Sequence, residues 1–421
     1  MTTPTRIERE LPGILGDLSA GPAPDYLDDV FGRTGRMRQR PAWSFPERWL
    51  PMADITRTRA SSYSPKWRPI AVALVVIALV VVAVLAYAGS RPQRVPPPFG
   101  PALNGLMTFE TGGDIYVGDP ATGTKRLVVG GADDDHDPGF SPDGTRIAFA
   151  RSSDASSADL FTVRTDGTDL KRMTAAPMQS IGWSIWAPDS RHLAVSHTVA
   201  GSSLFEAFDL DGHAHVLAAG YDFKAFEYRP PTGQEILFRA DKDGVSGLFV
   251  MDASGANIHA IRTSTPAGND LDLGDATYSA DGNRIFFQRA VQVSPDNSCC
   301  QLWVMDADGS NAHQFPDDRV SNAWEGVPSV SPDGRWVAFW RVTGGGHASV
   351  VRADGAGPVT PVGPDLNGMV NFFWSPDSSK LTITPQEDVD VARQYSADPV
   401  TGRWTTSDWA TRALDQQRLA P

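Results

Sequence analysis

Two patterns of apolar residues divide this chain. From Ile70 to Gly89 the residues run without a charge and are rich in Val, Leu and Ala. From residue 104 onward, apolar and polar residues instead alternate in short runs bounded by Gly, Pro, Asp and Ser. The first pattern predicts a transmembrane helix, because about 20 apolar residues at about 1.5 Å each cross the hydrocarbon core. Trp67 and Tyr87 sit near its ends, where amphipathic rings favour the interface. Arg57, Arg59, Lys66 and Arg68 precede the run, and Arg91 and Arg94 follow it. The more basic side is expected in the cytoplasm, which places everything after Gly89 outside. Ala86-Tyr87-Ala88 has the look of a cleavage site, but residues 1–69 are far longer than a secretory n-region. The segment therefore reads as an uncleaved, single-pass anchor in the lipid bilayer.

The second pattern predicts strands, and its punctuation repeats. Ser141-Pro142-Asp143-Gly144 precedes an alternating apolar run, and the same turn recurs at Ala187–Ser190, Pro230–Gly233, Ser279–Gly282, Ser331–Gly334 and Ser375–Ser378. The last turn residues fall at 144, 190, 233, 282, 334 and 378, so the spacings are 46, 43, 49, 52 and 44. Pro presets the first turn dihedral, Asp accepts local backbone hydrogen bonds, and Gly takes positive φ at low cost. Between these turns lie hairpins centred on Asp166-Gly167, Asp211-Gly212, Ser254-Gly255, Asp308-Gly309 and Asp354-Gly355. A period of about 40–50 residues is that of four-stranded propeller blades. The fold class is therefore all-β, a β-propeller. Three further strands, at about 104–110, 114–118 and 125–129, precede the first full unit. The total falls one strand short of seven blades, and the tail after Trp409 is the candidate for the missing inner strand. Six blades would result if the terminal hairpins sat outside the ring. The expected organisation is an N-terminal segment with short helices (1–65), the transmembrane helix (70–89), a Pro-rich linker (90–103), the propeller (104–410) and a tail (411–421).

Phe140-Ser-Pro-Asp-Gly with Ile147-Ala-Phe, and Leu302-Trp-Val-Met-Asp-Ala-Asp-Gly, resemble the TolB-type, WD-like repeat of bacterial envelope propellers. The resemblance covers about 104–410. It implies the fold and an envelope setting, but no activity, because propellers host enzymes, binding modules and scaffolds alike. TolB has a separate domain before its propeller, where this chain has an apolar helix instead.

Charge narrows the choice of partners. Residues 90–421 carry 26 Lys/Arg against 42 Asp/Glu, so they are strongly acidic, whereas residues 1–69 carry 11 against 8. An acidic domain argues against nucleic-acid binding, which needs a basic footprint. The N-terminal segment holds two apolar stripes at helical spacing, Ile7/Leu11/Ile14/Leu18 and Tyr26/Leu27/Val30/Phe31, then an Arg- and Trp-rich run from Arg36 to Leu50. It resembles loosely the head of membrane-anchored anti-sigma factors, without their His/Cys zinc motif. It reads as a juxtamembrane tail held near anionic lipid, or as a site for a cytoplasmic protein.

Candidate chemistry is sparse. Asp133 to Asp137, with His136 among them, precedes an inner strand. Aligning the repeats puts Asp275 and Asn371 at the offset of Asp137, and Lys224 and Glu325 at the offset of Asp135. Asp135, His136, Asp137, Asp275, Glu325 and Asn371 are thus expected around the mouth of the channel, a mostly acidic rim for a cationic ligand or basic partner. His213 and His215 flank a turn and read as surface residues. The only cysteines are the adjacent Cys299 and Cys300, expected in a loop, either as thiols or as a vicinal disulfide. Two sulfurs without a nearby His do not make a zinc site, so no metal or other cofactor is expected. Gly182-Trp-Ser-Ile-Trp186 lacks the second Gly of a nucleophile elbow. Peptidases of the prolyl oligopeptidase type add an α/β-hydrolase domain to a similar propeller, and the few residues after the last repeat do not form one. The expected function is a protein-interaction or ligand-sensing module of the envelope. The alternative is a lyase- or glycosidase-type enzyme with its site in the channel.

Overall fold

The structure is a computed structural model of the chain. It describes residues 68–89 and 95–421, apart from 155–156, 180, 183, 200, 265–271, 295–296, 319–322, 367, 369, 386–392 and 408–412. The helical stretches expected within 1–65 lie outside the described residues. A helix runs Arg68–Gly89, 22 residues. Its side chains are described only for residues 71–81, roughly 16 Å of helix at 1.5 Å per residue. Among the described residues no helix is long and apolar enough to cross a membrane.

The remainder is antiparallel β-structure. Among the described residues, five sheets have four strands and one has nine. Residues 222–263, 272–314, 324–366 and 370–407 each fold into one four-stranded sheet whose strands pair in sequence order. Short Asp-Gly-type turns enforce that order, since only neighbouring antiparallel strands can be joined so tightly. The nine-stranded sheet spans residues 134–219. It contains two meanders bridged by Met178–Gln179, which pairs with Ser157 and Ala158 on one side and Thr198 on the other.

The first sheet closes the chain on itself. Leu103–Thr111, Asp114–Gly118 and Lys125–Val129 are joined by Ala413–Leu419, which pairs with Leu103–Thr111 from Leu103↔Leu419 to Phe109↔Ala413. The β-structure therefore extends to Leu419, past the boundary expected at 410. Backbone pairing and specific side-chain contacts hold this strand, which has too few apolar residues for a strong alternating signature.

Leading strands of successive sheets lie against one another in several places. Ala413–Leu419 touches Asp134–Phe140, Asp222–Tyr228 touches Asp272–Tyr278, and that strand touches Trp324–Val330. Trp324–Val330 touches Val370–Trp374, which reaches back to Ala413–Leu419. Sheet faces bury apolar residues against their neighbours, as with Phe205, Phe226, Ile236 and Phe238 in one seam and Ile115, Ile147 and Phe149 in another. Each such side chain contributes about 1.5–3 kcal/mol of burial.

The repeated turns act as more than punctuation. Ser141 donates from its Oγ to Asp143 Oδ1 at 2.6 Å and accepts the Arg146 N–H at 3.0 Å. Ser279, Ser331 and Ser375 repeat the first bond. At Ser190 and Ser378 serine replaces the glycine despite φ values of 58° and 64°, a conformation costly for a side chain. Their hydroxyls accept the N–H groups of Asp143 and Asp333, 3.0 Å each, so each ties its turn to the preceding one. Gly144 has φ +70°, and a Cβ there would lie 2.6 Å from the Arg418 carbonyl oxygen. Glycine thus serves both the turn and the close approach of the closing strand.

Cys299 and Cys300 lie on the strand Asn297–Asp306, opposite Val291 and Ala290, and not in a loop. Their hairpin extends well beyond the rest of its sheet, so pairing continues where a loop was expected. The side chain of Cys299 is outside the described residues, and with it the question of a bridge.

Candidate functional site: the leading ends of the inner strands

The residues expected at the channel mouth sit on the leading strands, and each has a local role. Asp135 is 1% exposed and accepts two bonds from Arg151, Nε at 2.6 Å and Nη2 at 2.8 Å. Glu325 is 3% exposed and accepts from Arg341 Nε at 2.8 Å and Nη2 at 2.5 Å. Arg341 also reaches Asp318, 2.7 Å from Nη1. The two pairs are equivalent, since both acids start an inner strand and both arginines end the strand beside it. A buried acid of this kind persists only with its partner. Even so, loss of water raises the Glu325 carboxyl above its ordinary pKa, against the pull of Arg341. Both carboxylates are thus engaged by arginines of the neighbouring strand.

A second group lies around Asp137. The strand Asp134–Phe140 bulges between His136 and Gly139, which puts Asp137 at φ 54°. Its N–H donates to Glu110 Oε2 at 2.9 Å. His136 Nδ1 lies 3.1 Å from Asp137 Oδ2, and Nε2 lies 2.9 Å from Ser152 Oγ. The hydrogen bond to Asp137 holds the His136 imidazole above its ordinary pKa, opposed by partial burial. Glu110, Asp134, His136 and Asp137 thus form one group, with more acid than base. The strand Trp324–Val330 bulges at the same place, with Val327 at φ 54° before Pro328.

The other positions stand on their own strands. Asp275, on Asp272–Tyr278, is half-buried, and loss of water raises its carboxyl although Arg239 pulls it down. Lys224 is bonded to Asp222 and lies 3.9 Å from Asp241. Asn371 is half-buried on Val370–Trp374, opposite Thr384. Among the described residues no three His, Cys, Asp or Glu side chains are placed to hold a metal. His213 is exposed beside Asp209, at 2.9 Å, His215 is exposed too, and Ser184 begins the short strand Ser184–Trp186.

Two carboxylates escaped sequence reasoning. Asp415 accepts the Phe140 N–H at 2.8 Å, and Glu227 accepts the Tyr278 N–H at 3.1 Å. Each reaches from one leading strand to the edge of the next, where a strand has no ladder partner on that side. Loss of water pushes the Asp415 carboxyl up to about 6 and the Glu227 carboxyl up to about 7. Trp186 and Trp374 make the reciprocal connection, donating from Nε1 to the Gly139 and Ser329 carbonyls at 3.1 Å each.

No family model matches the chain. Among curated proteins, it is 24% identical over 192 residues to an uncharacterized peptidase, YuxL, of Bacillus subtilis, covering 44% of this chain and 26% of that protein. It is 28% identical over 123 residues to a TolB homolog of Chlorobium chlorochromatii, covering 29% and 27%. The chain thus spans about a quarter of the length of these relatives. Of solved structures, a prolyl endopeptidase matches with a TM-score of 0.55 at 11% identity, over 77% of this chain and 51% of its own. An oligogalacturonate lyase in complex with manganese matches at 0.53 and 11%, over 74% and 85%. The β-propeller domain of a Pyrococcus furiosus protease, described as having an open velcro topology, matches at 0.50 and 13%, over 74% and 96%. The fold is a TolB-like β-propeller. At these identities the neighbouring enzymes share the fold alone.

Proposed function

We propose that this chain is a membrane-anchored, seven-bladed propeller of the bacterial cell envelope that presents a protein- or ligand-binding surface outside the membrane. The observation that carries the binding role is the state of the inner-strand acids. Asp135 and Glu325 are held by arginines, and Glu227 and Asp415 by backbone N–H groups of the next strand. Such acids build a stiff wall. The group around Asp137, with Asp275, supplies the negative field that would attract a cationic ligand or basic partner. Seven blades follow if the nine-stranded sheet is two blades fused by Met178–Gln179. The segment 1–65 then faces the cytoplasm, where a second protein can reach it.

The anchor reading rests on the helix Arg68–Gly89. Val72, Leu74, Val75, Val76, Ile77, Leu79, Val80 and Val81 are each 50–63% exposed, on all sides of the helix. A helix apolar all round needs an apolar surrounding. Protease added to intact spheroplasts is expected to digest the propeller and spare an N-terminal tag. Loss of the tag with the propeller protected would reverse the orientation.

The binding surface is tested by Asp137→Asn combined with Asp275→Asn. Asn tolerates the positive φ at Asp137, so the fold is expected to persist. Retention of a basic peptide probe by the full chain, at low salt where screening is weakest, should fall several-fold. Equal retention by the variant and the wild type would remove the acidic mouth from the proposal.

A further inference from the structure

The six repeated turns lie at one end of the propeller, and their contacts run in a closed circuit. The Asp143 N–H donates to Ser190 Oγ at 3.0 Å, and a Cβ on Gly233 would lie 2.3 Å from Pro188. Arg229 Nε donates to the Gly282 carbonyl at 2.8 Å, and a Cβ on Gly334 would lie 3.0 Å from Ala280. The Asp333 N–H donates to Ser378 Oγ at 3.0 Å, and the Asp377 N–H to Asn104 Oδ1 at 3.1 Å. Asn104 pairs with Arg418, whose carbonyl lies against Gly144. The circuit thus returns to its first turn.

Residues 96–102 do not follow this circuit but cross it. Pro96 is buried and lines a small pocket with Asp143 and Gly144. Arg418 Nη2 donates to the Pro97 carbonyl at 3.0 Å and also to that of Gly100. Pro98 lines a pocket with Pro188, Tyr228 and Gly233, and Phe99 packs on the apolar cluster that holds Ala187 and Tyr228. Ala102 then donates its N–H to the Pro376 carbonyl at 2.9 Å. The turns beside Phe99 and the turn 375–378 are three or four contacts apart whichever way the circuit is followed. Yet three peptide units join Phe99 to Ala102, at most about 11 Å. The segment therefore takes the short way, across the middle. Gly100, at φ 74°, makes the bend, a conformation that disfavours other residues. Pro96, Pro97, Pro98 and Pro101 stiffen the segment and have no N–H that needs a partner. Pro376 is buried, whereas its counterparts Pro142, Pro188, Pro231, Ala280 and Pro332 are half-buried or exposed.

We infer that residues 96–102 are a strap that closes the turn end of the propeller, so that the space between the inner strands opens only at their leading ends. A segment serving only as a tether needs no hold on both sides of the circuit. The closure fixes the direction from which any ligand arrives, and it does not depend on what binds beside Asp137.

The test uses the full chain in detergent, with Cys299 and Cys300 replaced by serine. Ala187→Cys and Pro376→Cys, in separate chains, place a thiol under the strap on either side of the circuit. Ala280 shows that this turn position accepts a residue other than proline. Ala348→Cys places a third thiol at a position now 1% exposed, in an apolar seam without strap residues, where it reports opening of the whole fold. The strap is loosened in each chain by Phe99→Ser, or by glycine and serine in place of residues 96–101 at equal length. Labelling rates with a maleimide should rise at least tenfold at residues 187 and 376 and stay unchanged at 348. Three results would overturn the inference: no acceleration, acceleration on one side alone, or equal acceleration at all three positions. The last would make the segment a brace of the whole fold and not a cover of this end. If the glycine–serine chain does not fold, Phe99→Ser carries the comparison.

Discussion

Ending the chain at residue 412 is expected to lower Tm by ten degrees or more, or to prevent folding. The strand lost, Ala413–Leu419, supplies five register pairs to Leu103–Thr111. It also supplies contacts that no other segment can replace. Gln417 Oε1 accepts the Leu106 N–H at 3.2 Å, and its Nε2 donates to the Gly144 carbonyl at 2.6 Å. Arg418 donates to the carbonyls of Pro97 and Gly100, which holds the Pro-rich linker on the first sheet. Asp415 accepts from Phe140. Each buried group stranded by the deletion costs about 1–3 kcal/mol, and Met107 and Phe109, now 4% and 1% exposed, would meet water. The sum exceeds a large part of the 5–15 kcal/mol that holds a domain together. Thermal unfolding of the full and shortened chains by circular dichroism measures the effect. An unchanged Tm would exclude this strand from the closure.

That strand shows where sequence reading reached and where it stopped. The turns were legible because Pro, Asp and Gly act within four residues, and the strands expected at 104–110, 114–118 and 125–129 appear as Leu103–Thr111, Asp114–Gly118 and Lys125–Val129. The closing strand was legible only by counting, since Ala-Leu-Asp-Gln-Gln-Arg-Leu has little alternation of its own. The bridge Met178–Gln179, which fuses two meanders, left no pattern at all. Asp135 and Glu325 were picked out by offset, but their arginines were not, because each pair meets only when a hairpin brings residues 16 apart in the chain together. Asp415 and Glu227 bond to groups 275 and 51 residues away. No local signal carries such a contact.

The same long-range contacts make stability depend on pH, in a direction opposite to most carboxylates. Asp415 and Glu227 are held at about 6 and about 7 in the folded protein, against about 3.9 and 4.3 for exposed chains. Between these limits the folded state binds more protons than the unfolded one, so stability falls as pH rises. Their contribution is fully present below about pH 4 and is lost as pH passes through 6 and then 7. At about 1.4 kcal/mol per unit, Asp415 accounts for roughly 3 kcal/mol at most and Glu227 for roughly 4 kcal/mol at most. His136, also raised, acts in the same sense, and its share is lost as pH rises above its ordinary value. Asp209, held at about 2 by hydrogen bonds from His213, and Asp354, held at about 2 by Arg352, work the other way but only below about pH 4. Tm is therefore expected to fall steadily from pH 5 to pH 8. Asp415→Asn with Glu227→Gln should remove most of that slope and raise Tm at pH 8, because an amide oxygen still accepts the Phe140 and Tyr278 N–H groups while carrying no charge. Urea midpoints at pH 5, 6, 7 and 8 for both proteins decide the matter. A wild-type midpoint that rises across this range, or a double variant that keeps the full slope, would show that these two carboxyls stay ionised in the wall and that the strand edges are held by charge.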